Sequence, residues 1–294
     1  MTAFRAGFVA IIGLPNAGKS TLLNALVGEK VSIVSRRPQT TRHRILGIVH
    51  RETFQVAFVD TPGLLQPAYA LHEHMMKALK HALEDADALL VLLDATQPIG
   101  QCRQLAEVTN SVKLPLVVAI NKTDVADKQA IFSLQTEVYR YWPQAEVVPI
   151  AALIHHNLDV LLQDIVRHLP QHEPYFPGDQ LTDRTERFRA SELIREVIFQ
   201  LFHEEIPYST EVIITDWKEE EQKLRIAAEI WVERESQKGI VLGRGGSAIK
   251  QLGTQARQQL EQHYGKQVVL LLTVKVVEQW RKKKPLLKKL GYSQ

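Results

Sequence analysis

Apolar residues in the first 170 positions fall into two alternating rhythms. Short, almost continuous apolar runs at Phe8–Gly13, Ile45–His50, Phe54–Asp60, Ala88–Asp94, Leu116–Asn121 and Glu146–Ile150 read as buried strands. Between them, Lys19–Gly28, Tyr69–Leu83, Gln101–Asn110, Lys128–Tyr141 and Asn157–His168 space their apolar residues as helices do. This alternation predicts a mostly parallel sheet covered on both faces, with ligand at the C-terminal ends of the strands. The stretch 170–183 carries Pro170, Pro174, Pro177 and Gly178, the composition of a linker. Beyond it the order changes to a helix over Arg187–His203, strands at Thr210–Asp216 and Lys223–Val232, a glycine-interrupted helix over Gly239–His263, and a strand at Val268–Val277. Two domains are expected, over 1–170 and 187–294, with a linker over 171–186.

Composition adds bounds. A chain of 294 residues with 45% hydrophobic positions suits two soluble globular domains. The single Cys102 rules out an internal disulfide framework, fits a reducing compartment, and has no metal-ligand companions. The apolar start of the chain is too short to cross a membrane and reads as a core strand, so a cytoplasmic protein is expected. His43, His72 and His74 show no metal-ligand spacing and read as surface or packing residues.

The chemistry gathers at the predicted strand ends. Gly13, Leu14, Pro15, Asn16, Ala17, Gly18, Lys19 and Ser20 spell G-x-x-x-x-G-K-S, followed by Thr21. Its glycines let successive N–H groups point at a β-phosphate. Lys19 adds a cation across the β/γ oxygens, and the Ser20 hydroxyl suits Mg²⁺. Alone, this loop also fits a kinase or an ATPase. Asp60, Thr61, Pro62 and Gly63 follow a buried strand, where a P-loop enzyme holds magnesium through water and senses the γ-phosphate. Asn121, Lys122, Thr123 and Asp124 close another strand. The Asp124 carboxylate can accept from guanine N1 and its 2-amino group together, and the Lys122 stem can cover the base. The set in this order defines a GTP-binding domain.

Within it, Thr41 is the choice for a second Mg²⁺ hydroxyl, with Thr40 the lesser option. Leu64 stands where many GTPases place a water-orienting glutamine, so the chain orients water otherwise or hydrolyses slowly. Gln66 reads as a loop residue. Asn16 has no evident task in holding phosphate, and one reading is a loop residue bonding its own backbone.

The second half has its own signature. Gly243, Arg244, Gly245 and Gly246 form a G-x-x-G turn between two short amphipathic helices, the arrangement of a KH module. A groove of Ile240, Val241, Ile249 and Leu252 beside it would take unstacked bases, with Lys250 near the phosphates. From Lys238 to Gln294 there are twelve Lys/Arg against two acidic residues, whereas Glu204–Glu235 carries ten acidic against four basic. The whole-chain charge of +3 hides this polarity, and a local basic face is the footprint of nucleic-acid binding. The run RKKKPLLKKL, with Lys282 and Lys283, reads as added phosphate contact; a solvated tail, or a membrane-surface helix with Leu286, Leu287 and Leu290 as its apolar edge, stays open.

Over nearly its whole length the chain resembles the bacterial Era GTPases, on the motifs GLPNAGKSTLLNAL, PQTTRHRILGI, DTPG, NKTD, FPGDQLTDRTERF, SELIREVIFQLFHEEIPYS, KGIVLGRGG and a terminal LGY. The resemblance implies an α/β P-loop GTPase domain followed by an α+β type II KH domain. It further implies GTP/GDP and Mg²⁺ as ligands, and the 3′ end of 16S ribosomal RNA and the 30S subunit as partners of a monomer. Peripheral contact with the inner face of the membrane is a weaker expectation. Relatives of the family use an asparagine at the position of Asn16 to coordinate K⁺. The family's fifth motif reads Ser-Ala; here Ala151 replaces the serine, leaving the Ala152 N–H for guanine O6. A GTPase with a protein or membrane partner, its KH module a scaffold, is the alternative.

Overall fold

A computed structural model describes residues 3–65 and 67–292; Gln66 therefore lies outside the described residues. The chain forms two compact units.

In the first unit, strands β1 (Arg5–Gly13), β2 (Ile45–His50), β3 (Phe54–Asp60), β4 (Ala88–Asp94), β5 (Leu116–Asn121) and β6 (Glu146–Pro149) form one sheet in the order β2-β3-β1-β4-β5-β6. All neighbours run parallel except β2 and β3. The helices are α1 (Lys19–Val27), α2 (Ala70–Glu84), α3 (Gln101–Thr109), α4 (Lys128–Tyr141) and α5 (Leu158–His168). One core layer joins Ala10, Ile12, Val91 and Ile120 to Leu79 of α2, Leu105 of α3 and Val138 of α4. On the other face, a Cβ at Gly47 would sit 2.4 Å from Leu23, so α1 lies close against β2. Parallel strands buried on both faces need apolar residues at every position. All seven residues of β4 are buried.

The expected linker is not loose over its first part. The buried amide of Gln55 accepts from Tyr175 N at 2.8 Å and Phe176 N at 3.0 Å, and donates to Phe176 O at 2.8 Å. Ile48 N on edge strand β2 donates to Leu181 O at 2.8 Å. Residues up to Asp183 therefore fold with the first unit.

The second unit holds α6 (Glu186–Leu201), the single turn α7 (Ile206–Ser209), β7 (Glu211–Glu219), β8 (Lys223–Val232), α8 (Glu235–Leu242), α9 (Ser247–Tyr264), β9 (Gln267–Val276) and α10 (Lys284–Lys289). Its sheet runs β7-β8-β9, with β7 antiparallel and β9 parallel to β8. Ile194 and Val197 of α6, Val241 of α8, and Leu252, Ala256 and Leu260 of α9 close the core over alternate residues of β8. Segments Ile33–Thr40 and Ala68–Leu71 also cluster with this unit, against the expected limit at residue 170. Hydrogen bonds explain the first of these: Val34 N donates to Glu196 at 2.9 Å, and Arg195, forked onto Glu192, donates to Thr40 O.

Replacing Gln55 with Leu strands three backbone groups of Tyr175 and Phe176. Each buried group left unmade costs about 1–3 kcal/mol, so a loss of about 2–4 kcal/mol is expected after partial rehydration. Urea unfolding of the variant checks this, with faster proteolysis inside 171–183. A change under about 0.5 kcal/mol would show that Gln55 does not anchor the segment.

Candidate functional site

The loop between β1 and α1 carries the first group of site residues. Asn16 and Gly18 take left-handed backbone, with φ of 65° and 98°. A Cβ at Gly13 would lie 2.7 Å from the Leu92 carbonyl oxygen, so β4 itself demands glycine there. Lys19 Nζ donates to the carbonyls of Gly13 and Leu14 at 2.9 and 3.1 Å. Burial pulls its ammonium down to about 8, against the opposing charge of Asp60.

Asp60 ends β3 fully buried, in register with Ile11 of β1 and Ile45 of β2. Its Oδ2 accepts from Ser20 Oγ at 2.7 Å, and Ser20 Oγ lies 3.0 Å from Thr41 Oγ1. Ser20, Thr41 and Asp60 are thus brought together. Thr40 uses its hydroxyl on the Arg37 carbonyl at 2.9 Å. Burial raises the Asp60 carboxyl above its ordinary value, while Lys19 and the hydroxyls of Ser20, Ser32 and Thr41 pull it down. Oδ1 is buried with no hydrogen-bond partner. A buried carboxylate oxygen without a donor, flanked by two hydroxyls, fits a hard divalent cation or its bound water. Thr61 turns its hydroxyl inward to Ile11 O at 2.8 Å, and a Cβ at Gly63 would press on the Pro15 backbone at 3.2 Å. Leu64 packs against the core of the first unit and offers a water nothing to bond.

The third group surrounds Asn121. Its Nδ2 donates to Ala17 O at 2.9 Å and its Oδ1 accepts from Ala152 N at 3.0 Å, tying three loops together. The Ala152 N–H, expected to meet guanine O6, here donates to the Asn121 amide. Ala151, also buried, pairs with His156 through backbone bonds of 3.2 and 3.0 Å. Thr123 bonds Ile150 O through its hydroxyl at 2.9 Å, and Asp124 is exposed. Sequence reasoning missed Asp94. It is buried at the end of β4, accepts from Lys122 Nζ at 2.6 Å, and is itself held by Thr96 N and Oγ1 at 2.9 and 2.6 Å. The signal was available, since an acidic residue closing an apolar strand is what marked Asp60.

In the second unit, Gly243, Gly245 and Gly246 have φ of 72°, 58° and 81°. Arg244, Gly245 and Lys250 are exposed, as are Lys282 and Lys283. Ile240 is half exposed and Ile249 partly buried. Val241 and Leu252 do not line a groove; both are fully buried because they close the core over the sheet. Leu287 is also fully buried, which turns the middle of the proposed membrane-facing edge into the domain. No helix among the described residues is long and apolar enough to cross a membrane. No group of metal-ligating His, Cys, Asp and Glu occurs among them either.

Fold and site together define a P-loop GTPase joined to a KH domain. A family described as "50S ribosome-binding GTPase" matches residues 8–122, and the KH domain family matches 205–281. The GTPase Era of Staphylococcus haemolyticus (strain JCSC1435) is 39% identical over 294 residues, covering 99% of this chain and 98% of that protein. A crystal structure of Era with MgGDPNP and nucleotides 1506–1542 of 16S ribosomal RNA is 39% identical with a TM-score of 0.93, over 99% of this chain and 100% of that one. A variant of Aquifex aeolicus Era bound to GDP and AlF4⁻ matches at the same identity, TM-score and coverage. The chain belongs to the Era family of GTPases.

Phosphate oxygens placed beside Lys19 would restore the charged form that burial disfavours, so nucleotide-bound protein would keep that proton to higher pH. Affinity for GDP should be flat below about pH 8 and fall about fivefold from pH 8 to 9, as one proton is lost from the free state. Fluorescent-GDP titrations from pH 7 to 9 check the sign. A flat profile would mean that Lys19 is not the coupled group.

Proposed function

We propose that this protein is a Mg²⁺-dependent GTPase that binds the 3′ end of 16S ribosomal RNA through its KH domain and serves 30S subunit assembly and rRNA maturation in the cytoplasm. The observation that carries the reading is the pairing, in one chain, of the Ser20–Thr41–Asp60 cluster with an exposed GRGG turn bearing Arg244. Both kinds of ligand are bound by the related Era in its RNA complex.

Each residue has a task in this reading. The β1–α1 loop cradles phosphates with its N–H groups and Lys19 neutralises their oxygens. Ser20, Thr41 and Asp60 would hold magnesium, which supplies charge against the β and γ oxygens. Asp124 selects guanine, and Lys122, steered by Asp94, covers the base. With Leu64 packed into the core, water is not oriented by a side chain at that position, so the isolated protein hydrolyses slowly. Asn16 is assigned to a potassium ion near the phosphates, which would take the place of an arginine. On the second unit, Arg244 and the backbone of Gly245 and Gly246 meet phosphates. Ile240 and Ile249 meet bases, and Lys250, Lys282 and Lys283 add sequence-independent attraction. Peripheral contact with the inner face of the membrane is the weaker reading, since Leu287 is spent on the domain interior.

Two experiments test the proposal. Replacing Arg244 and Gly245 with Asp sets two carboxylates against phosphates. Binding to a single-stranded fragment of the 16S 3′ end should drop at least about 100-fold with GTP affinity intact. Wild-type binding by that double variant would leave a protein or membrane partner as the better account. Turnover in KCl should exceed that in NaCl at equal ionic strength by about tenfold, and Asn16→Ala should erase the difference. Equal rates in the two salts would remove potassium from the mechanism.

A further inference from the structure

The carboxylate of Asp60 is gripped by a second hydroxyl, outside every motif read above. Ser32 is 2% exposed and its Oγ donates to Asp60 Oδ2 at 3.1 Å, the same oxygen that accepts from Ser20. The backbone of Ser32 is itself clamped. Asn24 Oδ1 accepts from Val31 N at 3.0 Å and Ser32 N at 2.9 Å, and Asn24 Nδ2 donates to Ser32 O at 2.8 Å. Asn24 stands four residues after Ser20 on α1, so one helix face offers both the metal hydroxyl and the amide that grips the loop. Hydrogen bonds thus link Asn24 to Ser32, Ser32 to Asp60 and Asp60 to Ser20, and one turn of α1 joins Ser20 back to Asn24 to close a ring beneath the cluster.

Such a ring fixes the orientation of the carboxylate. Turning Asp60 part of the way about its last side-chain bond would break both hydroxyl bonds, so the plane of the carboxylate is held; a half-turn only exchanges two equivalent oxygens. Oδ1, buried and without a partner, is the oxygen left to face a cation. We propose that Ser32, placed by Asn24, is a positioning residue of the magnesium centre, holding Asp60 so that Oδ1 is presented to the ion or its water. This rests on the assignment of Ser20, Thr41 and Asp60 to magnesium. Outer hydrogen-bond partners of metal ligands commonly govern affinity about 10- to 100-fold.

The test is the Mg²⁺ concentration that half-maximally slows release of a fluorescent GDP, measured for the full chain beside its release rate in excess EDTA. Ser32→Ala should raise that concentration about tenfold and leave the EDTA rate unchanged. Asn24→Ala should shift it in the same direction, and the double variant no further than the larger single change. Should Asn24→Ala fail to fold, Ser32→Ala alone decides. Faster release by the same factor with and without Mg²⁺ would make Ser32 merely structural and overturn the proposal. An unshifted Mg²⁺ dependence in Ser32→Ala would also overturn it, provided Asp60→Asn shifts it. If Asp60→Asn leaves the dependence unchanged too, the magnesium assignment itself fails.

Discussion

A carboxylate with no solvent exposure is the most demanding group in the first unit. Asp60 must be charged to serve a cation, yet burial pushes its carboxyl toward the neutral form. Removing such a charge from water costs several kcal/mol unless neighbours compensate. The fold answers by ordering the sheet. With β1 directly beside β3, Asp60 stands in register with Ile11, so the loop carrying Lys19 and Ser20 begins two residues further along. Thr61 fastens the same junction by bonding Ile11 O. Lys19 faces the reverse problem, since burial disfavours its cation. The two charges temper each other without settling either desolvation cost, and polyphosphate and a divalent cation would complete that balance.

Asn121 imposes a second constraint, on loops distant in sequence. Its amide spans from Ala17 in the phosphate loop to Ala152 after β6, so the base-facing strand end also shapes the phosphate site. Gly18 owes its lack of a side chain partly to this, because a Cβ there would meet Asn121 Nδ2 at 2.5 Å. A residue that looks dedicated to the base is therefore also a splint. Its replacement would loosen the phosphate loop at Ala17 as well as the base-side loop at Ala152.

Much of this was legible from apolar rhythm. β2 to β5 end where their apolar runs end, because strands buried on both faces leave little room for ambiguity. The motifs were legible because phosphate and guanine chemistry accept few residue types at fixed spacing. Three features were not. The anchoring of 171–183 rests on partners more than 100 residues earlier, the buried Gln55 and the edge strand β2, whereas composition marked the segment only as a linker. The bond from Ala152 N–H to the Asn121 amide joins residues 31 apart, and no local pattern announces it. Val241 and Leu252 were placed on a groove because helical spacing shows that a face is apolar without showing what covers it. The sheet covers it.

The second unit shows the same logic from the side of conformational cost. Gly243 is forced from within, since a Cβ would lie 2.7 Å from Ala248. Gly245 and Gly246 are different: a Cβ at either would meet nothing within 4 Å. Packing inside the domain supplies no steric reason for two consecutive bare positions. Each loses more chain entropy on folding than a residue with a side chain would. Their left-handed backbone accounts for one part, because side chains adopt it reluctantly. The open space above them accounts for the other, because it lets a second backbone approach the turn directly. Arg244 stands exposed beside them, and α9 begins just after with the partial positive charge of a helix N-terminus. A cation, a bare turn and a helix end in the four successive positions Arg244 to Ser247 suit an anionic backbone better than they suit a protein surface, and this local chemistry favours RNA over the scaffold alternative.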